Sequence, residues 1–490
     1  MEENFGAQAN FIPGVPGSGA QYLIPVERQK DPLSQKFKDT LAHDKIDLVY
    51  THNFGLGISQ KTNFAPRVGF AYQATQKLVV RGAYGIFYGG FENRGYSPNL
   101  GENYPFQFSF SFDHPDNAHP ITYESGCGIG TFETGFACIP LDPTAVNASG
   151  LALRGIQFKY ITPYTQSLNF TLEYQLTPND AVDLGYVGSL SRHLETFPGS
   201  NNVTDLVPTS LNADDHKPFK DFGRGSSYAA AEGSSYYHSL QIKWTRRYNN
   251  GLNFLTAYTY SKVRTDAHDL LNGGGDRGFR APDIPGFGIR KDYGLANFDV
   301  RNIFHFSGGY ELPFGQGKHF FTGLSGVSNA LVGGWSLNYI LTLQDGYPQT
   351  IGCASGTGSG TDCYSFLVPG QDPIGGPHNV NRYYNPKAFA QPPAVATLGQ
   401  TDFSPLGGAA TQVVGPGFHR FDLSIFKQFR TSESTHLEFR AEFFNLANHP
   451  NFGLPGTTGN PSDKNFSKIT GTADNPNDPR QMQFALKFYF

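Results

Sequence analysis

Residues 480–490, RQMQFALKFYF, set the tightest constraint on what this chain can fold into. Met482, Phe484, Leu486, Phe488 and Phe490 share one parity; Gln481, Gln483, Ala485, Lys487 and Tyr489 share the other. Successive side chains of a strand point to opposite faces, so this segment is a ribbon with one oily face and one mostly polar face. The oily face runs to an aromatic final residue, where soluble domains ordinarily fray into polar ends. A strand that meets lipid on alternate residues and ends in an interfacial aromatic ring has a reason to be built this way. An edge strand of a soluble sandwich alternates in the same manner, so the remainder of the chain has to decide between them.

The same alternation recurs along the chain. Residues 65–73 and 77–88 form a hairpin across 74–76. The cleanest run is 165–176, with Leu168, Phe170, Leu172, Tyr174 and Leu176 on one face. Ser167, Asn169, Thr171, Glu173 and Gln175 occupy the other, Thr177-Pro178-Asn179-Asp180 turns the chain, and 181–190 returns. Residues 235–248 meet 252–263 across Asn249-Asn250-Gly251, a hairpin-type turn. Residues 297–312 lead through a Gly-rich connection to 334–344, and 418–430 turn at 431–433 into 436–446. The alternating run Phe106–Phe112 reads as a further strand above the membrane.

Between these strands, mostly short connections alternate with long ones at 89–162, 191–234, 264–296, 346–416 and 447–479. All the long loops therefore fall at one end. Outer-membrane barrels segregate short periplasmic turns from long external loops, and a sandwich has no reason to do so. The expectation is an all-β fold, an antiparallel transmembrane β-barrel of outer-membrane type. About eleven strands are visible, twelve if one lies near 46–58. Residues 1–62 read as irregular, or as the torn end of a preceding strand, and 63–490 as the barrel portion.

Composition agrees. Charged residues are 16%, against roughly 25% in ordinary soluble proteins. Aromatics reach 14%, with 58 Gly. No run approaches the about 18 apolar residues of a membrane-crossing helix. A net charge of -4 argues against a nucleic-acid footprint. Residues 1–30 lack the basic-then-apolar pattern of a secretory leader. An exported barrel needs one, so the chain is expected to be the carboxyl-terminal part of a longer protein.

Candidate chemistry is sparse. Cys127 with Cys138, and Cys353 with Cys363, are two local pairs in Gly-rich stretches and read as loop-stapling disulfides. Free thiols or zinc are the alternatives, but there is no CxxC spacing and no His beside either pair. The lumen parity of 418–446 carries Arg420, Asp422, Glu438, Arg440 and Glu442. These form either a polar wall touching ligand or plug, or a cross-strand ladder that keeps charges paired. Four residues of strand separate Glu438 from Glu442 by about 13 Å, too far for paired catalytic carboxylates. His114 with His119, and Asp266 with His268 and Asp269, are loop clusters of metal-ligand type and are expected to be simply solvated. The glycines at 356–360 have no helix after them to make a phosphate cradle. No enzyme, cofactor or metal is expected.

Several stretches together resemble one family: NFAPRVGFAY (63–72), VVRGAYGIFYGG (79–90), ANFDVRNIFHFSGGYELPFG (296–315), GWSLNYILTLQDGYPQTI (334–351), FHRFDLSIFKQF (418–429), LEFRAEFFNLANHPNFGLP (437–455) and DPRQMQFALKFYF (478–490). They look like the carboxyl-terminal half of the Oar-like TonB-dependent receptors. The resemblance covers about residues 60–490. It implies a 22-stranded outer-membrane barrel with a plug and a TonB-contacting box upstream, neither of which is in this sequence. The implied partners are outer-membrane lipid, an unidentified ligand, and the TonB complex through that plug. The terminal Met482–Phe490 pattern resembles the signal read by the barrel assembly machinery. The implied function is a receptor or transporter. A passive porin-like channel, a surface-binding scaffold and a soluble all-β binding protein are the competing readings. The architecture does not choose among siderophore, cobalamin, sugar and peptide ligands.

Overall fold

A computed structural model describes residues 6–490 apart from 15–18, 90–98, 108–150, 204, 225–227, 268–292, 355–362, 431–434, 458–460, 462 and 474–478. Three strands and a helix come first: β1 (Asn10–Ile12), β2 (Ala20–Pro25), α1 (Gln35–His43) and β3 (Ile46–Thr51). The wall follows as β4 (Arg67–Gln73), β5 (Leu78–Tyr88), β6 (Tyr164–Thr177), β7 (Asp180–Thr196), β8 (Tyr228–Asn249), β9 (Leu252–Thr265) and β10 (Asn302–Glu311). A short helix α2 (Gly326–Val332) precedes β11 (Trp335–Gln344), β12 (Phe418–Arg430), β13 (His436–Phe444) and β14 (Gln481–Tyr489). Strands β4 to β14 pair in chain order, each antiparallel to the next, within one 13-stranded sheet whose other two members are short side strands.

The register shows why the alternation holds. Leu168, Phe170 and Leu172 stand opposite Gly188, Tyr186 and Leu184. Tyr186 and Leu184 stand opposite Leu240 and Ile242, and these opposite Tyr260 and Tyr258. The row continues through Phe304, Leu343, Leu341, Phe421 and Leu423 to Phe443 and Met482. A slip of one residue anywhere would carry a whole strand's oily set to the wet face. At the Asn250-Gly251 turn both residues have positive φ, 52° and 83°, as a two-residue primed turn requires. A Cβ on Gly251 would also press to 3.0 Å from the Glu311 carbonyl oxygen.

Large apolar side chains on this row face outward. Leu168, Phe170, Tyr174 and Leu176 are between 43% and 45% exposed, and Met482, Phe484, Leu486 and Phe488 between 57% and 65%. Among the described residues, every cluster of buried apolar side chains lies outside the eleven wall strands. This is the reverse of a soluble sandwich, which buries that row between sheets. Aromatic rings extend along it sideways: Trp244 meets Phe254 at 5.0 Å, Phe254 meets Phe306 at 6.0 Å, and Phe306 stacks on Tyr339 at 4.8 Å.

Residues 1–62 depart from the irregular segment expected. Ser34 caps α1, its Oγ accepting from the Phe37 amide at 3.4 Å, and Phe37 and Leu41 bury one helical face. Strand β2 pairs antiparallel with β1 and parallel with β3, so α1 is the crossover between parallel strands. The segment near 46–58 is thus a strand of this small sheet and not a twelfth wall strand. Ile46, Tyr22, Phe37 and Leu41 pack with Tyr104, Leu153, Phe219 and Phe222 from two of the long loops. The expected strand at 297–312 begins only at Asn302; before it, the Asp299 carboxylate accepts from the Val263 amide at 2.6 Å. The alternating Phe106–Phe112 run falls outside the described residues, save for 106 and 107, which are not strand.

Sidedness is testable by charge. Phe170→Arg places a guanidinium on the lipid face and is expected to lower wall stability by about 2–4 kcal/mol, while Asn169→Arg on the wet face costs less than about 1 kcal/mol. Reversible urea unfolding from phospholipid vesicles measures both; equal losses would contradict the assignment of faces.

Candidate functional site

The wet face and the long loops at its end are where a solute would be met. On the inner face of β12, Arg420 Nε lies 3.0 Å from Asp422 Oδ1. The same carboxylate oxygen accepts from the Asn445 amide at 2.7 Å, so Asp422 also closes the end of β13. On β13, Arg440 Nε pairs with Glu438 Oε1, and Arg440 donates to the Tyr489 hydroxyl at 3.1 Å. Gln428 reaches Glu438 Oε2 at 3.4 Å. Glu442 stands in register with Ser424 and Gln483. Four of the five charges are therefore paired along their own strand, two residues apart on one face, and not across strands as a ladder requires.

Two cross-strand pairs belong to the same wall and escaped the sequence reading: Arg81 with Glu173 at 2.9 Å, and Lys243 with Asp183 at 2.5 Å. Their signal was present, since all four occupy the wet parity of adjoining strands. Partly exposed pairs of this kind add little stability. Their consequence is that these four charges lie on the hydrophilic inner surface already paired. Only Glu438 of the five charges singled out on β12 and β13 is strongly buried, at 7% exposure, and it meets Arg440, Gln428 and Tyr489 there.

Above the wall the described parts of the long loops pack into a canopy. Ile351, Tyr384, Ala388, Phe389 and Val413 pack with Phe466, joining the β11–β12 and β13–β14 loops. Burial pushes the Tyr384 phenol far above its ordinary range, and its hydroxyl donates to Gln349 Oε1 at 2.7 Å. Leu206, in the β7–β8 loop, packs with Val395 and Leu406 of the β11–β12 loop, and its carbonyl accepts from the Gly399 amide at 3.0 Å. These two loops rise from places separated by β8 to β11, so their contact bridges that part of the mouth. The small sheet of residues 10–51 completes the canopy. The Asn10 side chain donates to the carbonyls of Leu56 and Ile156, at 2.9 and 3.0 Å, and accepts from the Ile156 amide at 2.8 Å.

Cys353 and Cys363 are bonded, with Cα atoms 5.4 Å apart, and staple the β11–β12 loop as the sequence suggested. Cys127 and Cys138 lie outside the described residues, as do His114, His119, His268 and Asp269. Asp266 is described and is occupied: it accepts from the Ser234 amide at 2.6 Å and from the Ser234 hydroxyl at 3.1 Å. Burial raises its pKa, and those hydrogen bonds oppose the rise.

One cluster of metal-ligand type exists among the described residues, at a place the sequence did not point to. His43 Nδ1 lies 2.8 Å from Asp221 Oδ2 and 3.8 Å from Asp44 Oδ1. Asp44 is already engaged, its Oδ2 accepting from the Asp221 amide at 3.0 Å. The cluster reads as a polar latch between the end of α1 and the loop that carries Phe219 and Phe222.

Compared with known families, the chain matches the outer membrane beta barrel domain over residues 2–483. It belongs to that family, and is an outer-membrane β-barrel protein of a Gram-negative-type bacterium. No curated protein matches it. Among solved structures it is similar to the ferric preacinetobactin receptor BauA of Acinetobacter baumannii, at 10% identity and a TM-score of 0.39, covering 87% of this chain and 36% of that one. It is also similar to the outer membrane transporter YddB of Escherichia coli, at 11% identity and a TM-score of 0.40, covering 87% and 40%. The FrpB iron transporter of Neisseria meningitidis gives 10% identity and a TM-score of 0.36, covering 87% and 38%. The chain thus spans between 36% and 40% of the length of these three.

Two outcomes follow from the canopy's construction. Phe37→Ala removes a fully buried ring and should cost the canopy about 3–5 kcal/mol. Hydrogen exchange should then quicken at the amides of β2 and β3 and stay unchanged in β6 to β8. Reducing the Cys353–Cys363 bond should weaken its loop locally by about 2–3 kcal/mol, read as faster limited proteolysis within residues 346–416.

Proposed function

We propose that this chain is the wall and external canopy of an energy-coupled outer-membrane receptor of the Oar-like, TonB-dependent kind, which captures a solute at the canopy and admits it along the polar lumen. The observation that carries the reading is the contact between the β7–β8 and β11–β12 loops through Leu206, Val395 and Leu406. A mouth bridged by ordered loops restricts free diffusion and offers a fixed recognition surface. A passive channel needs neither. The seven stretches that resemble the Oar-like receptors support the same reading, and with it a plug and a TonB-contacting segment encoded upstream of residue 1. In this reading Met482, Phe484, Leu486, Phe488 and Phe490 present the closing strand to the assembly machinery, and the charges on β12 and β13 keep the passage wet without trapping an ion.

The test uses the full-length gene product in planar bilayers and in solution with the periplasmic domain of TonB. The reading expects no steady ion conductance in the folded protein, conductance after the plug is loosened with urea, and saturable TonB binding. Steady conductance without urea, together with no TonB binding, would establish a passive channel in its place.

A further inference from the structure

The connection between β10 and β11, residues 312–334, is the odd member of the short-turn end. Its counterparts at 74–77, 178–179 and 250–251 only reverse the chain. This one is a folded lobe. Gly315 and Phe320 bridge back on each other, the Gly315 amide donating to the Phe320 carbonyl and the Phe320 amide to Pro313, at 2.9 and 2.8 Å. The Asn329 side chain accepts from the Gln316 amide at 2.7 Å, which ties α2 to the bridge. Lys318 pairs with Glu311 at 2.8 Å.

The backbone of the lobe is thus ordered by polar contacts, and Phe320 and Phe321 rest on the Phe314 ring, yet four of its large apolar side chains stay mostly exposed. Helix α2 buries no residue. Val327 is 78% exposed, Leu331 66%, Phe321 63% and Phe320 51%. Val327 and Leu331 are four apart and share one helical face. A helix this short with no buried face has little reason to form in water.

Its placement says what covers it. Trp335 is on the lipid parity of β11, with Leu337 and Tyr339. Its indole N–H donates to the Leu331 carbonyl at 2.9 Å. Lys427, on the lipid parity of β12, donates to the Gly333 carbonyl and lies 5.2 Å from the Trp335 ring. The end of α2 is therefore held on the outer side of the wall, continuous with its lipid-facing row.

We infer that the lobe of residues 312–334 is a membrane anchor, with Phe320, Phe321, Val327 and Leu331 inserted at the boundary of headgroups and acyl chains in the periplasmic leaflet. Aromatic residues collect at that boundary, and short apolar helix faces lie in its plane. The anchor fixes the height of the wall in the bilayer at β10 and β11, independently of what the lumen carries.

The test is depth-resolved fluorescence. Phe321→Trp and Val327→Trp are each made in a Trp244→Phe background, whose one remaining indole is Trp335. The full chain is reconstituted in phosphatidylethanolamine–phosphatidylglycerol vesicles with or without brominated acyl chains, and the background signal is subtracted. The inference expects blue-shifted emission, quenching by brominated chains of at least about two-fold, and protection from a soluble quencher. Emission at the wavelength of indole in water, open to the soluble quencher, would overturn it. So would protection from the soluble quencher without lipid quenching, which would assign the patch to a protein contact. Unchanged heat-modifiable gel mobility shows that each variant has folded.

Discussion

Inside a bilayer no water is available to satisfy a backbone amide or carbonyl, and this fixes everything else about the wall. Each strand from β5 to β13 has a ladder partner on both sides, so its polar backbone is spent within the sheet. Once the backbone is fixed as a sheet, side chains must alternate, and the bilayer dictates what the two faces carry. The register from Phe170 through Tyr186, Leu240 and Tyr260 to Phe443 and Met482 is the outcome. The strands stay in place because any slip would put lipid against Asn, Thr and Glu.

The hydrophobic effect works only where water is the alternative, and the molecule divides accordingly. Among the described residues the wall strands join no buried apolar cluster, because their oily side chains prefer lipid as readily as each other. The canopy stands in water and is built as a soluble protein is, with Phe37 packed edge-on against Tyr22 at 5.3 Å and against Phe222 at 6.1 Å. Strand β8 crosses between the two regimes. It is 22 residues long, about twice what spanning requires. Its upper part turns from the alternation of residues 235–248 to Ala229, Ala230 and Ala231, which are buried. Small side chains there let other segments come close.

The difference between regimes also explains what the sequence disclosed. Period-two alternation is a local signal, and it located all eleven wall strands and the Asn-Gly turn, though β7 runs six residues past its expected end and β8 starts seven before its expected start. Strand β10 was found with its start too early, because the Asn297–Arg301 stretch continues the same pattern of residue types while Asp299 turns the backbone. Helix α1 had a local signature too, Ser34 as cap with Phe37 and Leu41 one turn apart. It was hidden because only two of its nine residues are large and apolar, and their partners, Tyr104 and Phe222, lie far off in the chain. The pairing of Arg420 with Asp422 depended on which way two long side chains lean along a strand. Parity predicts the shared face but not the lean.

The inner wall carries both signs of charge, and four ion pairs lie on it: Arg81 with Glu173, Lys243 with Asp183, Arg420 with Asp422, Arg440 with Glu438. Pairing spares those charges an uncompensated position, so the wall is polar without leaving them bare. The canopy is ordered differently, with Leu206, Tyr384 and Phe466 holding segments from distant loops in fixed relation. Those positions follow no repeat, because they answer to one another and not to the bilayer. A regular environment writes a regular pattern into the wall, and the segments that pattern leaves free are fixed by packing among themselves.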